Sequence, residues 1–524
     1  MIKTDIAVRV GYTVSDIKEK ISEHIPVAHS ELSDIRILKR TLNTRAEGGL
    51  EYKMTVGISL SPEREAGLLK MKKKVFAVPD YTLTVPVSRL ESRPVVVGSG
   101  PCGLFAALIL AEAGARPIVI ERGLAVDERG SRVREFTLTG KLDPECNVQF
   151  GEGGAGTYSD GKLKVGGMDE YKSKVLCEFV LAGATEDIFY SSTAHLGTDR
   201  LSGIIKNIRE KIVSLGGEFI FSAKLVGIKV KEGRVVSAIY NKGGDNVEID
   251  TEDVILAIGH SARDTFELLY SMNIPMQARG FGIGVRIEHP REHINKMVYG
   301  ANYPSELESA SYRFVTHLNN GRSVYSFCMC PGGTVVPAAS EHGGIVTNGM
   351  SEYARDAENS NAAFLVSVTP ADFASDSPLA GFDLQRKIEG AAYNLTSSYV
   401  APAISMADFS QKNAARTPAA VKPSYPMGTA PFSPEEYLPE YITGSLRAAI
   451  SDFDAWMPGF YYGGAMLTGP ETRTTSPVRI LRGENMQSLT VAGLYPAGEG
   501  AGYSGGIVSS AVDGIKCAIA ILTQ

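Results

Sequence analysis

The sequence predicts an α/β chain organised on a dinucleotide-binding parallel sheet, preceded by a small α/β domain and interrupted by an inserted α+β domain. Three observations predict it. A β-branched run, Pro94-Val95-Val96-Val97, leads into Gly98-Ser99-Gly100-Pro101-Cys102-Gly103, glycines at the spacing G-x-G-x-x-G, and a small-residue helical pattern follows. A second unit of strand, glycine turn and helix, running from Leu489 through Gly498 and Gly506 to Leu522, closes the chain. Between the two, from about Ser261 to Arg479, strands recur among long polar and proline-rich stretches, and the βαβ rhythm is lost.

In chain order, residues 1–92 read as a small domain of order β-α-β-β. Ile6, Val8 and Val10 alternate as a strand, and Thr13 caps a helix bearing Ile17, Ile21 and Ile25, with Asp16 in the capping-box position. Ile35, Ile37 and Leu38, then Tyr52, Met54, Val56 and Ile58, read as two strands about the turn Glu47-Gly48-Gly49. The basic run Lys70-Met71-Lys72-Lys73-Lys74 reads as a solvated linker face in preference to a nucleic-acid patch.

Residues 93–260 read as the first part of the nucleotide-binding domain. Gly98 suits the tight turn, Gly100 leaves the backbone open to a pyrophosphate, and Gly103 lets the helix pack closely on its strand. That helix, through Ala106, Ala107, Leu108, Leu110 and Ala111, stops at Gly114; its N-terminus offers free N–H groups to a phosphate. The next strand, Pro117 to Ile120, ends in Glu121, an acid placed for the hydroxyls of a ribose. The glycine-dense stretch from Asn147 to Leu163 signals close backbone approach to a bound group. A helix bearing Leu201, Ile204, Ile205, Ile208 and Ile212 is capped at Thr198 and stopped at Gly216-Gly217. Strands at Glu218 to Ala223, Val226 to Val230 and Val235 to Tyr240 follow, then a last apolar strand from Asp253 to Ala257. Residues 261–480 read as the inserted substrate or cap domain, and 481–524 as the closing part of the nucleotide-binding domain.

Of the 524 residues, 44% are hydrophobic and 21% charged, an ordinary globular balance. A formal net charge of -6 gives no electrostatic case for nucleic acid or an anionic membrane as the main partner. The six cysteines are scattered, not arranged as a disulfide framework, which fits a reducing compartment. No signal-peptide pattern begins at Met1, and no apolar run approaches the ~20 residues of a membrane span. With no C-x2-C pair and no H-E-x-x-H, no metal is expected. The expectation is a cytoplasmic protein acting on a small molecule, its oligomeric state open.

Taken as a set, residues 98–103 with Glu121, the strand ending at Ala257-Ile258-Gly259, and Tyr495-Pro496-Ala497-Gly498-Glu499 resemble the FAD-binding domain of the glutathione-reductase-type flavoproteins. Within these the chain resembles the FAD-dependent, or NAD(FAD)-utilising, dehydrogenases through Phe150-Gly151-Glu152-Gly153-Gly154-Ala155-Gly156-Thr157, Cys328-Met329-Cys330-Pro331-Gly332-Gly333 and Glu471-Thr472-Arg473-Thr474-Thr475-Ser476-Pro477. The resemblance covers most of the chain after about residue 90.

It implies FAD as cofactor. Gly98, Gly100, Pro101, Cys102 and Gly103 would surround the pyrophosphate, with Gly259 near it; Glu121 would hold the adenosine ribose, with Arg122 beside it. Val226 would approach adenine through its backbone. Gly153, Gly154, Ala155, Gly156 and Thr157 would face the cofactor, and Gly498 with Glu499 would meet the ribityl chain, where the family usually has aspartate. Gly505, Gly506 and Ile507 would bring a helix N-terminus to the pyrimidine edge, where its dipole favours the negative charge of a reduced flavin. The resemblance further implies a hydride passing between flavin N5 and an unidentified small molecule, as a dehydrogenase or a monooxygenase. The C-x4-C pair of the disulfide reductases is missing. No second G-x-G-x-x-G has strand and helix flanks, since Gly280-Phe281-Gly282-Ile283-Gly284 has no helix pattern after it. NAD(P)H is therefore expected only as a transient reductant in the substrate cleft. The alternatives are a flavin-dependent tRNA-modifying protein and a non-enzymatic flavin-bound redox sensor.

The catalytic residues stay open. Lys162 reads as a cation for reduced flavin or an anionic substrate group, or as a solvent-facing lysine. Cys328 and Cys330, at a strand end before a Pro-Gly-Gly turn, read as a source of nucleophilic thiolate or as packed cysteines; one spacer residue makes a disulfide between them awkward. Arg473, with Arg479, reads as a carboxylate or phosphate ligand or as part of a structural salt bridge. His260, His289 and His342 beside turns read as acids or bases, or as satisfied histidines.

Overall fold

The computed structural model describes residues 1–46, 49–70, 74–412 and 420–524. Glu47 and Gly48 of the expected turn, and Met71-Lys72-Lys73 of the basic run, lie outside the described residues. The N-terminal part comprises β1 (Ile2–Arg9), α1 (Val14–His24), β2 (Asp34–Asn43), β3 (Glu51–Ser59), α2 (Pro62–Leu69) and β4 (Phe76–Ala77). The strands form a four-stranded antiparallel sheet in the order β2-β3-β1-β4. Ile2, Ile6 and Val8 point to one face by the two-residue period of a strand and meet Ile17 and Ile21 of α1. The Thr13–Asp16 capping box forms.

The chain then builds β5 (Val95–Val97), α3 (Pro101–Glu112), β6 (Ile118–Glu121), α4 (Val126–Thr139), α5 (Glu170–Leu181), α6 (Thr198–Ser214) and β7 (Glu218–Phe221). A meander of β8 (Lys224–Lys231), β9 (Arg234–Lys242) and β10 (Asp245–Asp250) leads to β11 (Val254–Leu256) and α7 (Arg263–Ser271). β10, which the sequence reading passed over, sets Val247 and Ile249 against Asn246, Glu248 and Asp250 and is exposed except at Ile249. The cap of α6 is Gly197 and not Thr198; Thr198 is the first helical residue, and its hydroxyl donates to the Thr157 carbonyl.

The inserted part contributes β12 (Met276–Ala278), β13 (Phe281–Pro290), α8 (Arg291–Tyr299), β14 (Val315–His317), β15 (Ser323–Cys330), β16 (Thr334–Pro337), β17 (Thr347–Met350) and β18 (Asn359–Val368). It continues with α9 (Ala380–Thr396), β19 (Ala401–Ser405), α10 (Met406–Gln411), β20 (Thr429–Ala430), α11 (Glu440–Trp456), β21 (Met466–Glu471) and β22 (Val478–Ile480). Last come β23 (Leu494–Pro496) and α12 (Ile507–Leu522).

Two sheets position the site. The first is five-stranded and parallel, in the order β23-β11-β5-β6-β7. Helix α3 is apolar on every side, and Cys102 through Ala111 are buried between this sheet and neighbouring helices, α12 among them. The second sheet is seven-stranded, in the order β14-β15-β18-β13-β21-β19-β20, antiparallel except at β19–β20. β12 pairs antiparallel with β22, so the chain leaves the first sheet and returns to it side by side. The glycines at 280–284 serve this second sheet: a Cβ on Gly284 would overlap the Phe364 carbonyl of β18. Among the described residues, no helix is long and apolar enough to cross a membrane.

Candidate functional site

The carboxyl ends of β5, β6, β11 and β23 open on one cleft of about 520 Å³, the place where open α/β sheets hold their ligands. From β5, Gly98, Gly100, Pro101 and Cys102 reach its wall. Gly98 has φ +97°, and a Cβ there would overlap the Ala257 carbonyl oxygen. Gly103 lies beneath the wall, where a Cβ would overlap the Gly98 carbonyl oxygen; its missing side chain shapes the turn and not the cleft surface.

β6 ends at Glu121, which is buried. Its Oε2 accepts from Ser99 N and Ser99 Oγ, both at 2.9 Å, and its Oε1 accepts from Gly123 N and Gly151 N, both at 3.0 Å. The carboxylate thus ties the first glycine turn to the glycine-dense stretch. Arg122 donates to both Asp264 oxygens at 3.0 and 2.9 Å and to Glu145 at 2.7 Å, with its guanidinium 4.0 Å above the Phe150 ring. Against the upward pull of burial, Arg122 and Lys224 hold the Asp264 carboxyl well below the usual carboxylate range.

The glycine-dense stretch is pinned by a residue that the sequence reading missed. Arg129 of α4 is fully buried. It donates to the carbonyls of Asn147 (3.1 and 3.0 Å), Val148 (3.0 Å), Glu152 (2.7 Å) and Gly154 (2.9 Å). The available signal was a charge sharing a helix face with apolar residues: Val126, Arg129 and Phe136 are the buried positions of α4. So held, Gly154, Ala155 and Gly156 face the cleft, while Gly153 and Thr157 stand off its wall.

Across the cleft, Ala223, Lys224 and Leu225 form the wall, and Val226 does not. Val226 borders a second cavity of about 400 Å³ beside Arg122, Glu145 and Asn241. The reason is a bulge. Leu225 pairs with Tyr240 and Gly227 with Ile239, which leaves Val226 as the extra residue, turned off the cleft wall.

Gly259, His260 and Ser261 follow β11 onto the wall. Burial pushes His260 down to about 4, and Arg473 and Arg263 reinforce it, so its imidazole is neutral at pH 7. After β23, Ala497 and Glu499 line the cleft, and Gly498 packs behind them against Cys102. Burial pushes Glu499 up to about 7; Cys328 adds to this and Arg279 opposes it. Gly505, Gly506 and Ile507 complete the wall at the start of α12. The N-termini of α3 and α12, whose first-turn N–H groups have no intrahelical partner, therefore face one cleft.

The inserted part closes the other side with Phe327, Cys328, Asn348, Glu471, Arg473 and Thr474. Lys162 joins them, its ammonium 3.7 Å from Asp160, which Arg355 also binds at 2.9 and 2.5 Å. Cys328, not Cys330, meets the cleft. Cys330 is fully buried behind it, because β15 gains one residue against β18 between Phe327 and Cys330. Arg473 reaches the wall, but its guanidinium is engaged by Glu389 at 3.0 and 2.9 Å and by Ser340, so it serves a buried ion pair. Arg479 donates to the Gly502 carbonyl. His289 is buried away from the cleft on the Phe460 carbonyl, and His342 is exposed outside it.

Two family models match the chain: "FAD-dependent protein, C-terminal domain-like" over residues 280–474, and "FAD binding domain" over residues 91–137. A Clostridium beijerinckii protein, described as uncharacterized, is 44% identical over 515 residues, 97% of this chain and 96% of the relative. Among solved structures, a geranylgeranyl bacteriochlorophyll reductase-like protein from Thermoplasma acidophilum is 13% identical, with 82% of this chain and 77% of that one covered and a TM-score of 0.36. The 3-ketosteroid-Δ4-(5α)-dehydrogenase from Rhodococcus jostii, solved with 4-androstene-3,17-dione, is 13% identical, with 85% and 100% covered and a TM-score of 0.35. At these TM-scores neither likeness bears on the chemistry of this chain.

Proposed function

Because the chain belongs to a family of FAD-binding proteins, with FAD as its cofactor, we propose that it is an oxidoreductase that carries a hydride to or from a small-molecule substrate bound beneath the inserted sheet. One observation carries the reading: the two glycine turns, at 98–103 and 498–507, stand far apart in sequence and line one cleft whose other side is the inserted sheet. The residues suit a long anionic dinucleotide. Two helix N-termini face the cleft, and Gly100 and Gly154 leave its floor bare; a Cβ on Gly154 would come within 3.1 Å of the Gly100 Cα.

We assign Gly98, Gly100, Pro101, Cys102 and Gly259 to the pyrophosphate. Glu121 and Arg122 order the adenosine end, with Leu225 in place of Val226 on the adenine side. Gly154, Ala155, Gly156, Glu499, Gly505, Gly506 and Ile507 surround the flavin half, and Gly103, Gly153, Thr157 and Gly498 support the wall from behind. FAD supplies a two-electron carrier. The chain supplies the field around it: the α12 N-terminus favours negative charge, Lys162 adds a cation, and Glu499, raised to about 7, exchanges a proton near neutral pH. NAD(P)H fits this reading as a transient reductant sharing the substrate cleft.

The test is anaerobic stopped-flow mixing of the FAD-loaded protein with NADH, NADPH and a panel of alcohols, amines and hydroxy acids. Bleaching of the flavin band by at least one of them is expected. A band untouched by all of them would overturn the proposal.

A further inference from the structure

The inserted sheet brings two cysteines to the end of the cleft assigned to the flavin half. In an extended strand, residues two apart span roughly 6.5 Å, at the upper limit for a disulfide, and their side chains run parallel. β15 departs from that geometry. It pairs with β18 as far as Phe327 and resumes only at Cys330. At the break Cys328 takes φ +40°, a left-handed value that strains a non-glycine residue. The Cys330 S–H lies against Cys328 and donates to that residue's carbonyl oxygen at 3.4 Å. Arg286 Nη2 donates to the Cys328 carbonyl at 3.0 Å and stands 3.6 Å from Cys330 Sγ. Cys328 lines the cleft beside Lys162. The Cys330 thiol, with Lys162 and Arg286, holds the Cys328 thiol below its ordinary range, which favours the attacking thiolate.

We propose that Cys328 and Cys330 are a dithiol–disulfide pair that exchanges two electrons with FAD, an inference that rests on the flavin placement proposed above. On oxidation two S–H bonds break and one Sγ–Sγ bond forms. Two electrons and two protons leave the pair, and oxidised flavin accepts both; the reverse balance reduces the disulfide. Cys328 is the member that meets the cofactor, and Cys330 is the buried member that resolves it.

The test is an anaerobic dithionite titration of the full-length, FAD-loaded protein after oxidation with diamide. The peptide holding both cysteines is alkylated and weighed at the start and at the end. The wild type is expected to take up four electrons per FAD, its peptide two mass units light and unalkylated at the start and doubly alkylated at the end. Cys328→Ser and Cys330→Ser are each expected to take up two electrons, and Cys177→Ser, on α5, four. Uptake of two electrons by the wild type, with both cysteines alkylated throughout, would overturn the proposal; should a variant fail to load FAD, the wild-type peptide decides alone. A protein that turns over substrate yet takes up two electrons keeps the oxidoreductase reading and loses this one. A protein that no substrate bleaches yet takes up four loses only the other.

Discussion

Glu121, expected to hold the adenosine ribose, also has its carboxylate built into the packing of the glycine turns. Its two oxygens accept four donors from three segments, at Ser99, Gly123 and Gly151, and glutamine in its place would offer one oxygen and point an amide at the remaining donors. Glu121→Gln is expected to weaken FAD binding about 10–100-fold, at about 1.4 kcal/mol per tenfold, in a fluorescence titration of the apoprotein. Glu499 makes a pH prediction. Its folded pKa is raised to about 7 from 4.5, so between those values the folded chain keeps a proton that the unfolded chain has released. Stability from this group is present at low pH and lost as pH rises across that window. Glu499→Gln removes the loss, so in the apoprotein the variant gains on the wild type between pH 5 and pH 8, by ~3 kcal/mol at most, in paired thermal melts. The glycines of both turns were legible because their spacing is itself the chemistry. Which of Cys328 and Cys330 meets the cleft, and that Leu225 stands on its wall where Val226 was expected, were not, because a bulge moves one residue past its neighbour and nothing in the local pattern announces it.

Among the elements, α4 and the stretch it grips matter most to the cofactor end. The capping of α1, the apolar wrap of α3 and the alternation of β1 follow from short-range pattern and were readable. The hold of Arg129 on 147–154 was not, because its partners are backbone carbonyls, which look the same in every sequence. Arg129→Met removes the guanidinium donor from the Asn147, Val148 and Glu152 carbonyls and is expected to cost about 3 kcal/mol or more in urea unfolding. Limited proteolysis should then cut within 147–157 before any other site, and the variant should copurify with less FAD than the wild type. Unchanged cutting and full FAD occupancy would show that the stretch holds its shape without the guanidinium.

For the whole molecule, the inserted sheet is joined to the cofactor sheet by a buried ionic knot. Arg263 at the start of α7 and Arg473 after β21 both bind Glu389 of α9, with Glu389 oxygens 2.9 to 3.1 Å from Arg263 and 2.9 to 3.0 Å from Arg473. Against burial, the two arginines hold the Glu389 carboxyl below its usual range. The sign follows: this contribution is present above the unfolded value near 4.5 and lost as pH falls below it. Glu389→Gln leaves two buried guanidiniums short of a carboxylate and is expected to cost about 3–5 kcal/mol at pH 7. Thermal melts from pH 7 down to pH 3 should find the variant's disadvantage shrinking, because the unfolded wild-type chain takes up a proton there while the folded carboxylate keeps its charge. That the βαβ rhythm breaks after Ser261 was legible. The order β14-β15-β18-β13-β21-β19-β20 was not, since each strand pairs with partners distant in the chain.

The central claim is that one FAD spans both glycine turns and presents its ring to a substrate space beneath the inserted sheet. A crystal structure of the protein with FAD tests it most directly. Density running from Glu121 past Gly100 to the start of α12, with the ring system against Cys328 and Glu471, is the predicted result. An FAD whose ring lies outside the cleft, or that leaves the residue 498–507 turn untouched, would contradict it.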